Sequence, residues 1–317
     1  MGAASAGFEV LEGVRRGQRR LGAIPTEGPH AGALVDLNSA LALQLAEEDA
    51  GAPEAEADSQ LPPDALAFLR RWPDSFDAAA RALAFVQSAE ERFDAPDLAA
   101  AGIVLDRRSI RWSAPVPQPG KVVGVRHEGA ASTAQLFLKA PSSIAGPSDE
   151  LRIPSGSQSV ELHGELALVV GRRTHGVPPQ RALECVAGYC VALALRPKNS
   201  APALATLGWS GDGSAPLGPA LVTPDEIADP GNLTLRLQLS GELLAEGHTR
   251  ELALSVPELL ALASRAMTLE PGDVVLTGSP LSWSADLLPR PLRDGDVVQF
   301  DIESVGRLAT YVQSKSN

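Results

Sequence analysis

The chain has 317 residues, 44% of them hydrophobic and 21% charged, the balance of a soluble globular protein long enough to bury a sizeable core. Its formal net charge of −12 comes without a basic stripe to neutralise phosphates, so nucleic acid is excluded as an expected partner. Cys185 and Cys190 make neither a disulfide framework nor a zinc knuckle, and a reducing cytoplasm is the expected compartment. The N-terminus lacks a basic segment followed by an apolar one, the myristoylation motif that its Met-Gly start could open lacks its Ser or Thr, and no apolar run approaches the roughly 20 residues of a membrane span. No signal peptide, lipid anchor or membrane partner is expected.

In chain order, residues 8–45 alternate short apolar groups (Phe8, Val10, Leu11, then Leu21, Ile24, Leu34, Val35, Leu37) with glycine-containing turns, which predicts a hairpin or small sheet followed by a short helix. Residues 47–60 are acidic, small and unpatterned, and read as an exposed loop. Two helices are expected next. The first runs from about Pro63 to Trp72 with Leu66 and Leu69 inward, and the second is capped by Asp74 or Ser75 and continues through Ala79, Leu83 and Val86. Three prolines in Pro115–Gly120 remove backbone donors, so this stretch reads as a linker. It divides the chain into a small N-terminal domain, residues 1–114, and a larger one, residues 115–317.

Past the linker the character is β-rich. Lys121–Val125 and Ser159–Val170 are expected strands, as are Leu233–Leu239 and Glu242–Ala245 across a Ser240-Gly241 turn. Val274–Leu276 and Val297–Ile302 each follow an acidic turn containing glycine. Ser255 and Glu258 form a capping box at the head of a helix over Ser255–Met267, and a second helix is expected from Pro179 to about Val186. Many strands and few helices point to a mixed-β domain of the α+β class, mainly β, rather than a doubly wound sheet.

From Pro115 onward the order of local motifs resembles the fumarylacetoacetate hydrolase family. Pro117–Val125 (PQPGKVVGV) is similar to that family's entry strand, Phe137–Pro147 (FLKAPSSIAGP) to a substrate-side loop carrying a lysine, and Glu161–Arg172 (ELHGELALVVGR) to its metal-binding strand. Gly188–Val191, Ala215–Thr223, Glu246–Thr249 and Val256–Pro280 complete the order, and several ordered motifs are more specific than any one alone. The resemblance implies a mixed β-sandwich roll with a small N-terminal α/β domain, a homodimer, and hydrolysis or decarboxylation of small oxo acids with a bound magnesium or manganese ion.

Taken without the resemblance, period-two alternation on the strand from Val160 sets Glu161, His163 and Glu165 on one face and Leu162, Leu166, Leu168 and Val170 on the other. Such a polar face is either a solvated edge or a site. The resemblance makes it a site, because the family's metal-binding strand presents two glutamates from this face. Carried over by position, the metal ligands fall on His163, Glu165 and Ala194, so one carboxylate of three survives. Magnesium requires hard oxygen ligands in near-octahedral geometry, imidazole suits transition metals, and a methyl group ligates nothing.

Other positions also differ. The resemblance places a lysine where Trp209 stands, and the acid–base pair of a lid falls near His127 and Glu128, which are equally well exposed loop residues. Lys139 keeps the place of the substrate-side lysine, and Thr277-Gly278-Ser279-Pro280 is similar to a loop whose backbone and threonine hydroxyl meet the substrate.

Three functions follow. The first is an enzyme that reuses the pocket without magnesium, with Glu165, His163, Lys139 and His127 as acid, base and anion binder on an enolisable carbonyl compound, and Trp209, Thr277 and Gly278 binding it. The second is a catalytically silent homologue serving as a binding or partner subunit. The third is a conventional magnesium-dependent C–C bond hydrolase.

Overall fold

The computed structural model describes the chain apart from residues 1–2, 11–16, 28–29, 90–94, 127–133, 154–158, 199–206, 284–286 and 314–317. The expected hairpin is β1 (Ala3–Val10) paired with β2 (Arg19–Pro25), followed by β3 (Leu34–Asp36) and helix α1 (Leu37–Glu47). Asp36 caps α1 by accepting the Ser39 N–H at 2.9 Å, and it also holds the buried guanidinium of Arg20, which donates further to Asn38 and Ser39. A buried charge is tolerated where it is paired with an opposite charge and further hydrogen-bonded, as here.

The acidic stretch does not stay a loop. Residues Pro53–Gln60 form α2, with proline in the first turn beside Glu54 and Glu56. Proline costs nothing where the N–H has no helical partner, and acids there complement the helix dipole. Only Ala57 is fully buried, so the apolar pattern that would announce the helix is missing.

Helices α3 (Ala65–Leu69) and α4 (Asp74–Ser88) follow, then α5 (Ala95–Ala100) and short strands β4 (Val104–Leu105) and β5 (Ile110–Ser113). Neither Asp74 nor Ser75 caps α4. Pro73 stands at the cap, and the Ser75 hydroxyl donates instead to the Phe68 carbonyl at 2.8 Å, tying α4 to α3.

The remainder is largely strand: β6 (Val122–Arg126), β7 (Gln135–Lys139), β8 (Ile144–Ala145), β9 (Leu151–Arg152), β10 (Val160–Val170), β11 (Val186–Pro197) and β12 (Ala215–Val222). After them come β13 (Thr234–Leu239), β14 (Glu242–His248), helix α6 (Val256–Ala266), β15 (Val274–Leu276), β16 (Val297–Ile302) and β17 (Gly306–Gln313). The β13–β14 turn places Ser240 and Gly241 at positive φ (49° and 88°), as a two-residue hairpin requires. Glu258 accepts the backbone N–H and hydroxyl of Ser255 at the head of α6. The helix expected after Pro179 is a 3-10 helix, Pro179–Cys185.

One large sheet has the order β4-β3-β2-β1-β12-β11-β10-β15-β6-β7, and a second runs β14-β13-β16-β17-β9. The N-terminal strands thus enter the same sheet as the later ones through the antiparallel pair β1–β12. The sheets meet through Leu162, Leu166 and Leu168 of β10, Leu235 and Leu237 of β13, and Phe300 of β16. On the other face of β10, Ala167 and Val169 pack with Leu41, Phe68 and Val86 of the helices. This is a mainly β, α+β fold. No helix among the described residues is long and apolar enough to cross a membrane.

Candidate active site

Three alternate cross-strand pairs, all on one face, form the floor. On the face that β10 turns toward the helices further along, β10 and β11 set Glu161 opposite Arg196, His163 opposite Ala194, and Glu165 opposite Ala192. Side chains directly opposite in an antiparallel pair lie close, which explains the 3.4 Å ion pair between Glu161 and Arg196. His163 Nε2 lies 3.6 Å from Glu161, too far for a hydrogen bond. The side chains on β11 opposite His163 and Glu165 are methyl groups, so neither acquires a polar partner across the strands.

Glu165 is 5% exposed and accepts the backbone N–H of Gly278 at 2.7 Å. The loop that supplies this donor leaves β15, the other neighbour of β10. Its Thr277 N–H donates to the Leu166 carbonyl at 3.0 Å, and the Ser279 hydroxyl donates to the Gly164 carbonyl at 3.1 Å. Gly278 has φ 74°, the left-handed conformation that glycine adopts without strain. The Thr277 hydroxyl donates to the Gly278 carbonyl at 3.1 Å. Burial raises the Glu165 pKa above the ordinary carboxylate range, opposed by the nearby charge of His163, the Gly278 hydrogen bond and Lys139.

Lys139, at the end of β7, is 3% exposed and donates to the backbone carbonyl of Trp209. Burial lowers its pKa to about 8, against the pull of the Glu165 charge. The Trp209 segment is pinned above it: Ala140 N–H donates to the Ser210 hydroxyl at 2.9 Å, Ser142 donates to Asp212 at 2.7 Å, and Gly213 N–H donates to the Ser142 carbonyl at 3.1 Å.

The Trp209 ring lies 4.6 Å from Phe137 and 5.8 Å from His163, centroid to centroid. The Arg196 guanidinium stands 4.6 Å from the ring centroid and Lys139 Nζ 5.9 Å, both within cation–π range. Two nitrogens at this wall, His163 Nε2 and Trp209 Nε1, are buried without a hydrogen-bond partner among the described residues.

The structure therefore brings together His163, Glu165, Lys139, Trp209, Thr277 and Gly278 from four separate segments of the sequence. His127 and Glu128 lie outside the described residues. Arg196 and Phe137 belong to the same cluster without having been singled out. For Arg196 the available signal is its position two residues beyond Ala194 on one strand face. Among the described residues no group of three or more His, Cys, Asp or Glu side chains is placed to hold a metal ion.

Comparison with known proteins agrees with this architecture. A model of the fumarylacetoacetate (FAA) hydrolase C-terminal domain matches residues 118–313. A mitochondrial oxaloacetate tautomerase of Xenopus laevis is 36% identical over 226 residues, 66% of this chain and 70% of its own. The maleylpyruvate hydrolase of Aquipseudomonas alcaligenes is 34% identical over 227 residues, 65% of this chain and 76% of its own. The solved fumarylacetoacetate hydrolase of Exiguobacterium antarcticum superposes with a TM-score of 0.71 at 26% identity, covering 99% of this chain and 100% of that one. The chain belongs to the fumarylacetoacetate hydrolase family.

Proposed function

We propose that the protein is an enzyme that moves a proton on a small enolisable carbonyl compound, an oxo acid, by acid–base chemistry and without the family's magnesium or manganese ion. The observation that carries the reading is the buried Glu165. It is a buried carboxyl group that accepts a neutral backbone N–H, and burial raises its pKa, the direction that suits an acid or base that exchanges protons with substrate. In this reading Glu165 removes and returns the proton α to the carbonyl. His163 Nε2 and Trp209 Nε1, both buried without hydrogen-bond partners among the described residues, meet the substrate's oxygens, and Lys139 and Arg196 attract its negative charge. Names among the relatives, an oxaloacetate tautomerase and a maleylpyruvate hydrolase, support a small oxo acid as the substrate class.

The donor set does not fit a hard divalent cation. Magnesium needs several anionic oxygens to displace its waters, and the three positions assigned to ligands hold an imidazole, a single carboxylate and a methyl group. That carboxylate already accepts from Gly278. No step here is routed through a metal.

The family match beginning at residue 118 supports residues 1–114 as an N-terminal domain and 115–317 as the catalytic one. A cytoplasmic homodimer completes the reading. The buried, unpaired thiols Cys185 and Cys190 support a reducing compartment.

The test is loss of α-proton NMR signals from a panel of 2-oxo acids, oxaloacetate and pyruvate among them, incubated with the protein in D2O. Catalysed exchange of at least one is expected. A second reading, a silent homologue acting as a partner subunit, is favoured by the packing of Trp209 against Phe137 and His163, and absence of exchange across the panel would establish it instead.

A further inference from the structure

We propose that Lys139 is a nucleophile that forms an imine with the carbonyl carbon of an oxo-acid substrate, giving the pocket a covalent electron sink. This deepens the acid–base reading above and rests on it. That reading leaves one difficulty open: removing a proton α to a carbonyl places charge on the carbonyl oxygen, and among the described residues the groups around it are two ring nitrogens and two cations that also face an indole ring. A protonated imine answers the difficulty, because its positive nitrogen accepts the electron pair directly.

The geometry distinguishes Lys139 from an ordinary lysine. Its amine is buried, and among the described residues its hydrogen bond goes to a neutral backbone carbonyl, that of Trp209. Lys121 shows the alternative within the same chain, since its amine pairs with the Asp273 carboxylate at 2.6 Å. A buried amine with no carboxylate partner is pushed toward its neutral, nucleophilic form by desolvation. Glu165 is near enough for its charge to be felt at Lys139 without forming an ion pair with it among the described residues, so a proton donor and acceptor stands beside the amine.

The steps balance without any oxidant or reductant. The Nζ lone pair attacks the carbonyl carbon, forming the C–N bond, while the C–O π pair takes up the proton that nitrogen sheds. The Glu165 carboxyl group protonates the resulting hydroxyl, the C–O bond breaks to release water, and the nitrogen lone pair closes the protonated imine. Glu165, now a carboxylate, removes the α proton, and the C–H pair moves into the C–N system as a neutral enamine. Return of a proton to carbon and addition of water release the carbonyl product and restore the free amine. Before attack the hydrogen bond to the Trp209 carbonyl must be released, which couples the chemistry to movement of that segment.

The test is reductive trapping. Protein is incubated with pyruvate, and separately with oxaloacetate, then treated with borohydride, digested and mapped by mass spectrometry, alongside α-proton exchange on the same samples. The expected result is a reduced adduct on Lys139, absent from Lys121 and Lys198, with both adduct and exchange lost in Lys139→Arg. That variant keeps the positive charge, and its fold is checked by circular dichroism. Exchange by the wild-type protein with no adduct on Lys139 overturns the imine and leaves the acid–base reading standing. Neither exchange nor adduct overturns both. Exchange that persists in a folded Lys139→Arg protein also overturns the imine.

Discussion

Glu165 accepts the backbone N–H of Gly278 at 2.7 Å, so the buried acid of β10 is oriented by the loop that leaves the neighbouring strand β15. Glutamine at this position keeps an oxygen for Gly278 and loses the base. Glu165→Gln is therefore expected to fold normally by circular dichroism and thermal melt, and to lower α-proton exchange by about 10²–10⁴-fold. Exchange at the wild-type rate would remove Glu165 from the chemistry.

Lys139 carries a pH signature. Burial lowers its pKa to about 8 from the ordinary 10.5, so between these values the unfolded chain holds a proton that the folded chain has shed, and stability rises with pH across that window. Below about 8 both forms are protonated and the cost of the buried ammonium is fully present. Lys139→Met has no such cost. The stability advantage of the variant over the wild type is expected to shrink by on the order of 3 kcal/mol between pH 8 and 10.5, measured by urea unfolding. An advantage that stays constant with pH would place the amine in water. The same titration raises the neutral amine fraction, so the yield of trapped adduct should climb through pH 8. Among the described residues, Glu161, His163, Glu165 and Arg196 are the other ionisable groups of this cluster.

Gly164, between His163 and Glu165, lets β10 pass close to Phe300. A Cβ built there would sit 2.6 Å from the Phe300 ring, which is fully buried and packed edge-on against Trp283 at 6.0 Å. Gly164→Ala is expected to destabilise the protein by about 1–3 kcal/mol through overpacking and to disturb the flanking site residues. Denaturant unfolding with an unchanged midpoint would show that the core gives way freely.

Much of this was legible from residues alone. Period-two alternation put Glu161, His163 and Glu165 on one face, and the register of β10 with β11 places them there. The capping residues Ser255 and Glu258 marked α6, and Ser240-Gly241 marked the hairpin turn. The helix at Pro53–Gln60 was not legible, because a helix that buries one alanine leaves no apolar period to read. The role of Ser75 also escaped, since a hydroxyl that bonds the Phe68 carbonyl looks in sequence like any helix cap. The stack of Arg196 and Phe137 on Trp209 depends on a loop pinned by hydrogen bonds between residues 70 apart, information that local spacing does not contain.

The decisive measurement is the rate of α-proton exchange against magnesium concentration, starting from protein stripped with a chelator. A pocket that works through Glu165 and Lys139 should give a rate that is present in the stripped protein and flat as magnesium is added. A rate that is absent after stripping and rises to saturation with magnesium would contradict it, and would mean that oxygens beyond Glu165 complete a cation site in this chain.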